Sequence, residues 1–378
     1  MKEKFNKRFF GFLFIVNIAC VTLLLLGNLA PVTNPQRFWP IALMGIGFPI
    51  VAIFAALLGI AWLFIDRRKS LLSLVGLSIC FQSIFATFAL NVPAVFKNAK
   101  EGSALRVLTW NVGLMNYTEL DTNLANRQNT VIFKKIKESN ADVVCLQEFF
   151  SSVITGNYYN IIDSMKKMLN YPYHYFSLDN PKFDNKFFNG TIIFSRYRIT
   201  DTAKVIYPLP FIGSVIRAGI IINTDTIDIF STRFQSVNFT SNEYQELHNI
   251  KAGDDKGLKG SRNIVKKLRT GYDNRTTQMQ IVRNLMADSR RPEVLTGDFN
   301  DVPVGFVYHQ MKSGLSDSWE SKGFGLGRTF KFIYPTLRID HILYNESFRA
   351  IQVTRIMSGD ETDHNGILAD LDLIKKGE

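Results

Sequence analysis

Three long uncharged stretches fill the first quarter of this 378-residue chain and limit its fold more than any other feature. They run from Phe9 to Gln36, from Phe38 to Ile65 and from Ser70 to Phe96. A helix that crosses a bilayer needs about 20 mostly apolar residues, and a backbone in hydrocarbon must satisfy its own hydrogen bonds. The sequence therefore predicts three transmembrane helices within residues 1–96, the second with a candidate kink at Pro49.

Two other interpretations of these stretches are weaker. The basic residues Lys2, Lys4, Lys7 and Arg8 resemble the start of a signal peptide, but the apolar run behind them is too long and two more follow. Buried helices of a soluble protein would rarely give three such runs in succession. We therefore expect a multi-pass membrane protein.

The short loops between the stretches predict its orientation. The N-terminus is basic, and so is the run Arg67–Lys69 between the second and third stretches, whereas the first loop has only Arg37. Basic loops stay in the cytoplasm. After three crossings, everything beyond Phe96 should lie on the non-cytoplasmic side, and we expect a bacterial inner membrane.

Charge and cysteine content restrict the rest of the chain. Of the net charge of +11, residues 1–96 carry +6 and the remainder only +5, from 36 Lys or Arg and 31 Asp or Glu. This balance permits a polyanionic partner but does not require one. Cys20, Cys80 and Cys145 show no metal-ligand spacing, so neither a zinc site nor a disulfide framework is expected.

Residues 97–103 form a short polar stretch and are predicted to be a linker, and residues 104–378 alternate between strand-like and helix-like segments. This alternation favours one layered α/β (α+β) domain. A helix is expected from Tyr158 to Leu169. A long polar insertion follows Asn238, with a mobile first half and a helix from Ser261.

Five segments of this domain share one design, an apolar strand that ends in polar residues. They are Val107–Val112, Val144–Glu148, Leu295–Asp301, Arg338–Leu343 and Thr362–His364. If the strands lie side by side, their ends converge on one pocket. Carboxylates, amides and one imidazole suit Mg²⁺, which prefers oxygen ligands, whereas zinc favours more His or Cys.

In this order the segments resemble the motifs of the endonuclease/exonuclease/phosphatase family, also called DNase I-like. The family motifs are a strand ending in W-N, then L-Q-E, G-D-F-N, R-I-D-H and a late D-H pair, and the resemblance covers Leu105 to the C-terminus. It implies a four-layer sandwich of two face-to-face mixed sheets with outer helices. It also implies that Mg²⁺-assisted attack of water hydrolyses a phosphodiester or phosphomonoester bond, with Mn²⁺ as an alternative ion.

The resemblance implies which residues bind the metal and which act on the water. Glu148 resembles the principal metal ligand, Asn111 lies beside it, and Asp363 resembles a further carboxylate on the metal side. Asp298 resembles the residue that orients or deprotonates the attacking water. Asn300 would fix either the phosphate or Asp298.

The remaining roles concern the phosphate. His364 resembles the imidazole that contacts the scissile phosphate, and Asp340 would hydrogen-bond it and favour its charged form. Asn189 begins a segment that resembles a strand and turn beside the site, so it is a candidate substrate contact.

Arg233 departs from the family pattern, because many members carry a His in the corresponding run. Arginine holds its protons too tightly to act as a general acid, but it can clamp a phosphate. We expect retained activity, since the other motif residues are present. The alternative is a weakened or inactive binding module on the same fold.

The substrate class stays open among nucleic acid, phospholipid and small phosphate esters, because the fold cannot choose between them. Membrane attachment raises the odds for a lipid. The lipid bilayer is the other expected partner, and no obligate protein partner is evident from the sequence.

Overall fold

A computed structural model of the chain describes residues 2–117, 119, 121–157, 159–237, 257–332 and 336–374. It divides into two compact units. The first comprises Met1–Phe88 with Asp301–Gln310, and the second comprises Ala89–Asn300 with Met311–Glu378.

The first unit consists mainly of apolar helices. They are α1 (Lys2–Gly27), α2 (Pro35–Ile65), α3 (Arg67–Ile79) and α4 (Phe81–Thr87). Polar residues set their ends: Asn34 accepts a hydrogen bond from the backbone of Gln36, and Asp66 accepts one from Arg68. Residues 8–27 and all of α2 are long and apolar enough to cross a membrane.

The third apolar stretch differs from the prediction, because no single helix spans Ser70 to Phe96. Helices α3 and α4 meet at Cys80 with a bend of 66°, and could form one span only as a bent pair. The chain then enters a strand at Ala89. In α2 the backbone is irregular at Phe38, two residues before Pro40, and not at Pro49, where the kink was predicted.

Polar contacts inside the first unit join these helices. The Ser73 hydroxyl donates to Asn17 Oδ1, and the Ser83 hydroxyl donates to Asn28 Oδ1, each at 2.7 Å. Such bonds matter in an apolar setting because an unpartnered amide there is costly. Val304, from the second segment of this unit, packs with Leu24 and other apolar residues of the helices.

The second unit contains fifteen strands and most of the remaining helices among its described residues. The strands are β1 (Ala89–Leu90), β2 (Leu105–Asn111), β3 (Val143–Ser152), β4 (Tyr173–Phe176), β5 (Asp179–Lys182), β6 (Phe187–Ser195), β7 (Ile199–Ile206), β8 (Ser214–Ile222), β9 (Asp225–Arg233), β10 (Glu293–Asp298), β11 (Ser316–Asp317), β12 (Phe324–Gly325), β13 (Asp340–Tyr344), β14 (Phe348–Ile356) and β15 (Gly366–Leu373). The later helices of the chain are α5 (Thr122–Ser139), α6 (Ile161–Leu169), α7 (Gly257–Ala287), α8 (Phe306–Lys312) and α9 (Ser318–Lys322).

Two mixed sheets make up most of this unit. One has the order β14-β15-β2-β3-β6-β4, with β5 also on β6, and the other has the order β11-β13-β10-β9-β8-β7. Val107 and Ile229, from different sheets, belong to one core cluster, while Leu108 on the opposite face of β2 clusters with Ile132 and Met165 of α5 and α6. This confirms the predicted α/β fold of two face-to-face sheets with outer helices.

The helix predictions are confirmed in part. Helix α6 begins at Ile161, and Tyr158 lies outside the described residues. The helix expected from Ser261 is part of α7. Residues 238–256, which form most of the polar first half of the insertion, also lie outside the described residues.

Strand pairing aligns the ends of five strands, β2 and β3 in one sheet and β9, β10 and β13 in the other. β2 and β3 run parallel, with Asn111 opposite Gln147. β10 runs parallel to β9 and antiparallel to β13, so Asp298 pairs with both Arg233 and Asp340. Polar residues that are distant in sequence therefore share one edge.

Candidate active site

A hydrogen-bonded cluster joins the ends of the two sheets. The Asn111 amide donates to Glu148 Oε1 at 3.0 Å and to Asp298 Oδ2 at 3.1 Å. Asn111 is itself oriented by the backbone N–H of Gly113, which donates to its amide oxygen at 3.1 Å. The side chains of β2, β3 and β10 thus form one cluster, as the sequence predicted.

Arg233 lies over the same carboxylates. Its Nη2 atom is 2.7 Å from Glu148 Oε1, and its Nε atom is 3.9 Å from Asp298 Oδ2. Burial by itself raises the pKa of Glu148, but Arg233, Asn111 and His364 outweigh it and hold the pKa below its usual value. The Glu148 carboxylate is therefore ionised at neutral pH.

His364 and Asp340 form a buried pair. The His364 Nδ1 atom lies 2.8 Å from Asp340 Oδ2, and its Nε2 atom lies 4.0 Å from Asp298 Oδ2. Burial alone lowers the pKa of His364, but the carboxylates of Asp340, Asp298 and Asp363 outweigh it and raise the pKa to about 10. His364 is therefore a cation at neutral pH.

The loop after β10 is built around Asp298. The backbone N–H of Asn300 donates to Asp298 Oδ1 at 2.9 Å, and the Asn300 amide donates to Asp298 Oδ2 at 3.0 Å and to the carbonyl of Phe234 at 2.9 Å.

Gly297 has φ 146, and a Cβ atom there would lie 2.0 Å from the Thr232 carbonyl oxygen. Glycine is therefore required for β9 and β10 to approach this closely.

Asp298 is buried beside a second carboxylate, that of Asp340, and beside two cationic side chains. Burial and the neighbouring Asp340 carboxylate raise the pKa of Asp298 to about 6, while His364 and Arg233 oppose that rise. A carboxylate with such a pKa accepts a proton more readily near neutral pH than an exposed aspartate does.

Two of the predicted residues lie at the margin of the cluster. Asp363 is 42% exposed, with Oδ1 3.9 Å from His364 Nε2. Asn189 is half-buried on β6, where it pairs in register with Phe150, two residues beyond Glu148. The remaining seven predicted residues are brought together: Asn111, Glu148, Arg233, Asp298, Asn300, Asp340 and His364.

The structure adds two residues to which the sequence analysis gave no role. The Thr362 hydroxyl donates to the backbone carbonyl of Asn111 at 3.0 Å. The Trp110 indole N–H donates to the backbone carbonyl of His364 at 2.9 Å. Both residues lie within the motif segments, so the sequence marks them as close to the site. Only the tertiary contacts show that they hold the His364 loop against β2.

The cluster fits a divalent cation by its donor set. Asp340 Oδ1 is buried without a hydrogen-bond partner among the described residues. One ligand atom each from Asp298, Asp340 and His364 lie within 4.8 Å of one another. Because a protonated imidazole has no free lone pair, the carboxylates and the amide of Asn111 are the better candidate ligands.

Comparison with protein families gives two matches. The Endonuclease/Exonuclease/phosphatase family matches residues 108–364. A domain of unknown function matches residues 7–87. No curated protein matches the chain.

Several solved structures are similar to it. An endonuclease/exonuclease/phosphatase from Beutenbergia cavernae DSM 12333 is 19% identical, with a TM-score of 0.53, and the match covers 71% of this chain and 72% of that one. A family protein from Leptotrichia buccalis C-1013-b is 17% identical over 71% of this chain and 100% of that one, with a TM-score of 0.49. A mannosyl-6-phosphatase from Bacteroides thetaiotaomicron VPI-5482 is 16% identical over the same shares, with a TM-score of 0.48.

Proposed function

Because the chain belongs to the endonuclease/exonuclease/phosphatase family, whose members hydrolyse phosphate esters, we propose that it is a membrane-anchored, Mg²⁺-dependent phosphoesterase. The observation that carries the proposal is the continuous cluster from Glu148 through Asn111 and Asp298 to the His364–Asp340 pair. It combines ionised carboxylates, a buried imidazolium and an arginine at one edge of the sheets.

Members of this family usually use divalent metals, and the proposed ion is Mg²⁺, with Mn²⁺ as an alternative. Glu148 and Asn111, which are hydrogen-bonded at 3.0 Å, would hold it from the centre of the cluster, and Asp363 would hold it from the margin. The nearby carboxylates of Asp298 and Asp340 would act on the attacking water and on His364 instead. When bound, the ion would polarise a phosphoryl oxygen and offset its developing charge.

Asp298 would orient the attacking water and take its proton. Its raised pKa of about 6 suits that role near neutral pH. Asn300 fixes the carboxylate through two hydrogen bonds, so Asp298 has one orientation before substrate arrives. That preorganisation lowers the cost of reaching the transition state.

The phosphate would meet positive charge on its other side. His364 is held as an imidazolium by Asp340, and Arg233 offers a planar guanidinium. Both stabilise charge that develops on the phosphoryl oxygens. Arg233 cannot protonate the leaving group, so its role is electrostatic. Asn189 would contact the substrate from β6.

The proposed domain organisation is a membrane region of residues 1–96, a linker of residues 97–103 and a catalytic domain of residues 104–378. The side of the membrane depends on the bent pair α3–α4. If the pair crosses the bilayer, the catalytic domain lies on the non-cytoplasmic side of a bacterial inner membrane; if it does not, the domain is cytoplasmic. Fusions of alkaline phosphatase and of a fluorescent protein after Glu101 distinguish these cases.

Hydrolysis of bis-p-nitrophenyl phosphate by the purified full chain tests the proposed activity. We expect Mg²⁺-dependent turnover that EDTA abolishes, and a loss of at least about 100-fold in Asp298→Ala. Asp225→Ala is a suitable control, because Asp225 is an exposed carboxylate at the opposite end of β9. Equal rates in both variants would show that the cluster is not the catalytic site.

The ion pair between Arg233 and Glu148 favours a second candidate, a binding module. In that case the parent protein would bind inorganic phosphate or a phosphate ester in equilibrium dialysis, without hydrolysing any ester in Mg²⁺ or Mn²⁺. The Asp298→Ala variant would then leave binding little changed.

A further inference from the structure

The loop between β7 and β8 presents apolar side chains to solvent. Residues 206–212 contain no charged side chain. Three of them are largely exposed: Ile206 at 67%, Leu209 at 91% and Ile212 at 62%. Single exposed apolar residues are ordinary, but a contiguous apolar group on one loop is typical of an interaction surface.

Several contacts hold the base of this loop in place. Tyr207 is buried at its base, and its hydroxyl contacts the Thr232 hydroxyl on β9. The backbone N–H of Tyr207 donates to the Gly213 carbonyl at 3.0 Å, and that of Phe211 donates to Pro208 at 3.0 Å. The buried tyrosine therefore fixes the base while the aliphatic side chains project outward.

Strand register places the loop beside the candidate active site. Asp298 pairs with Arg233 on β9, Thr232 pairs with Val215 on β8, and Ser214 pairs with Ile206 on β7. Strands are spaced about 4.8 Å apart, so the end of β7 lies roughly 14 Å from Asp298 along the same edge of the sheet. The loop therefore borders the mouth of the catalytic cluster.

A fourth exposed apolar side chain lies outside the loop but near it. The Ser214 hydroxyl donates to Asp179 Oδ2 at 2.9 Å, and the residue before Asp179 is Leu178, which is 44% exposed. Asp179 pairs with Asn189 across β5 and β6. The apolar border thus extends from one sheet to the other on the active-site side of this unit.

The chain itself indicates what would cover this surface. It carries two helices that are apolar enough to cross a membrane, and α4 ends at Thr87 only one residue before β1 begins at Ala89. A domain joined so closely to apolar helices stays near a bilayer. Resting on the function proposed above, we infer that the β7–β8 loop inserts into the bilayer interface and that the substrate is a membrane lipid carrying a phosphate ester.

Fluorescence quenching tests the insertion without depending on activity. The full chain is reconstituted in nanodiscs of phosphatidylcholine, with or without bromine on the acyl chains, and Leu209→Trp is compared with Met168→Trp. Met168 is a matched control, since it is 64% exposed on α6. Each variant has one tryptophan more than the unsubstituted protein. We expect brominated lipid to quench the additional fluorescence of Leu209→Trp and to leave the additional fluorescence of Met168→Trp unchanged. Equal quenching of the two overturns the insertion.

Hydrolysis of two substrates tests the lipid assignment. We expect Leu209→Glu/Ile212→Glu to keep the parent rate on bis-p-nitrophenyl phosphate and to lose at least about tenfold on phosphatidylglycerol in nanodiscs, since burial of two aliphatic side chains is worth more than that factor. Met168→Glu should change neither rate. A parent that hydrolyses the soluble ester but no phospholipid overturns the lipid assignment. A parent inactive on both overturns the proposed function, while the quenching result still decides whether the loop inserts.

Discussion

Replacing Asp340 with Asn tests whether the buried His364–Asp340 pair acts electrostatically. The two side chains are 6% and 0% exposed, and their Nδ1 and Oδ2 atoms are 2.8 Å apart. Asparagine keeps the size of the side chain but removes its charge. A hydrogen bond to a charged group is worth about 1.5–3 kcal/mol. We therefore expect kcat/KM for bis-p-nitrophenyl phosphate to fall about 10- to 150-fold at neutral pH.

The pH profile separates this role from a structural one. Burial lowers the pKa of His364, but Asp340 and the nearby carboxylates raise it to about 10, so the imidazolium persists through neutral pH. Without the Asp340 charge the pKa falls, and the imidazolium is lost as the pH rises through that lower value. The alkaline limb of the kcat/KM profile should therefore move to lower pH in Asp340→Asn.

A second buried pair in the same unit supplies the control. His341 Nδ1 lies 3.0 Å from Asp317 Oδ2, and these side chains are 0% and 1% exposed. Asp317→Asn removes the same type of charge outside the catalytic cluster, so it should lower thermal stability without moving the alkaline limb. If both variants lose activity equally and neither profile shifts, the electrostatic role of Asp340 is refuted.

Three further predictions concern other positions in this unit. Gly297→Ala should cost about 3 kcal/mol or more of unfolding free energy, because its Cβ would meet the Thr232 carbonyl oxygen; unchanged chemical unfolding would contradict this. Arg106→Met should cost about 3–5 kcal/mol, since it leaves the buried Asp370 carboxylate without its partner at 2.7 Å, and a compensating Asp370→Leu should recover most of that loss. Arg233→Ala should lower kcat/KM at least tenfold more than the charge-preserving Arg233→Lys, an order-of-magnitude expectation from the loss of a partly buried cation near the phosphate; equal rates would rule out an electrostatic role.

Much of the candidate site was predictable because each motif is local. Strand β2 has apolar residues on both faces and ends at Asn111, and β10 ends at Asp298. Buried strands of this kind stop where polar residues begin, so their ends could be located from the sequence. The order of the motifs then identified the family, which the match over residues 108–364 confirms.

The third apolar stretch was less predictable. The absence of charge from Ser70 to Phe96 satisfies the length of a membrane span, but it does not require one straight helix. The break at Cys80 accompanies contacts with distant residues, such as the bond from Ser83 to Asn28. The hydropathy of the sequence does not show which distant residues will form such hydrogen bonds.

The sequence by itself determined which side chains could perform chemistry and roughly where each strand ends, because both follow from local composition. Only the tertiary structure decided that the Arg233 guanidinium lies on Glu148 and that the apolar loop before Ser214 shares the edge of Asp298. The first arrangement arises where β9 of one sheet meets β3 of the other, and the second arises from the register of β7, β8, β9 and β10 within one sheet. Both depend on the packing of the two sheets, because a strand's register is fixed by which of its faces is buried between them.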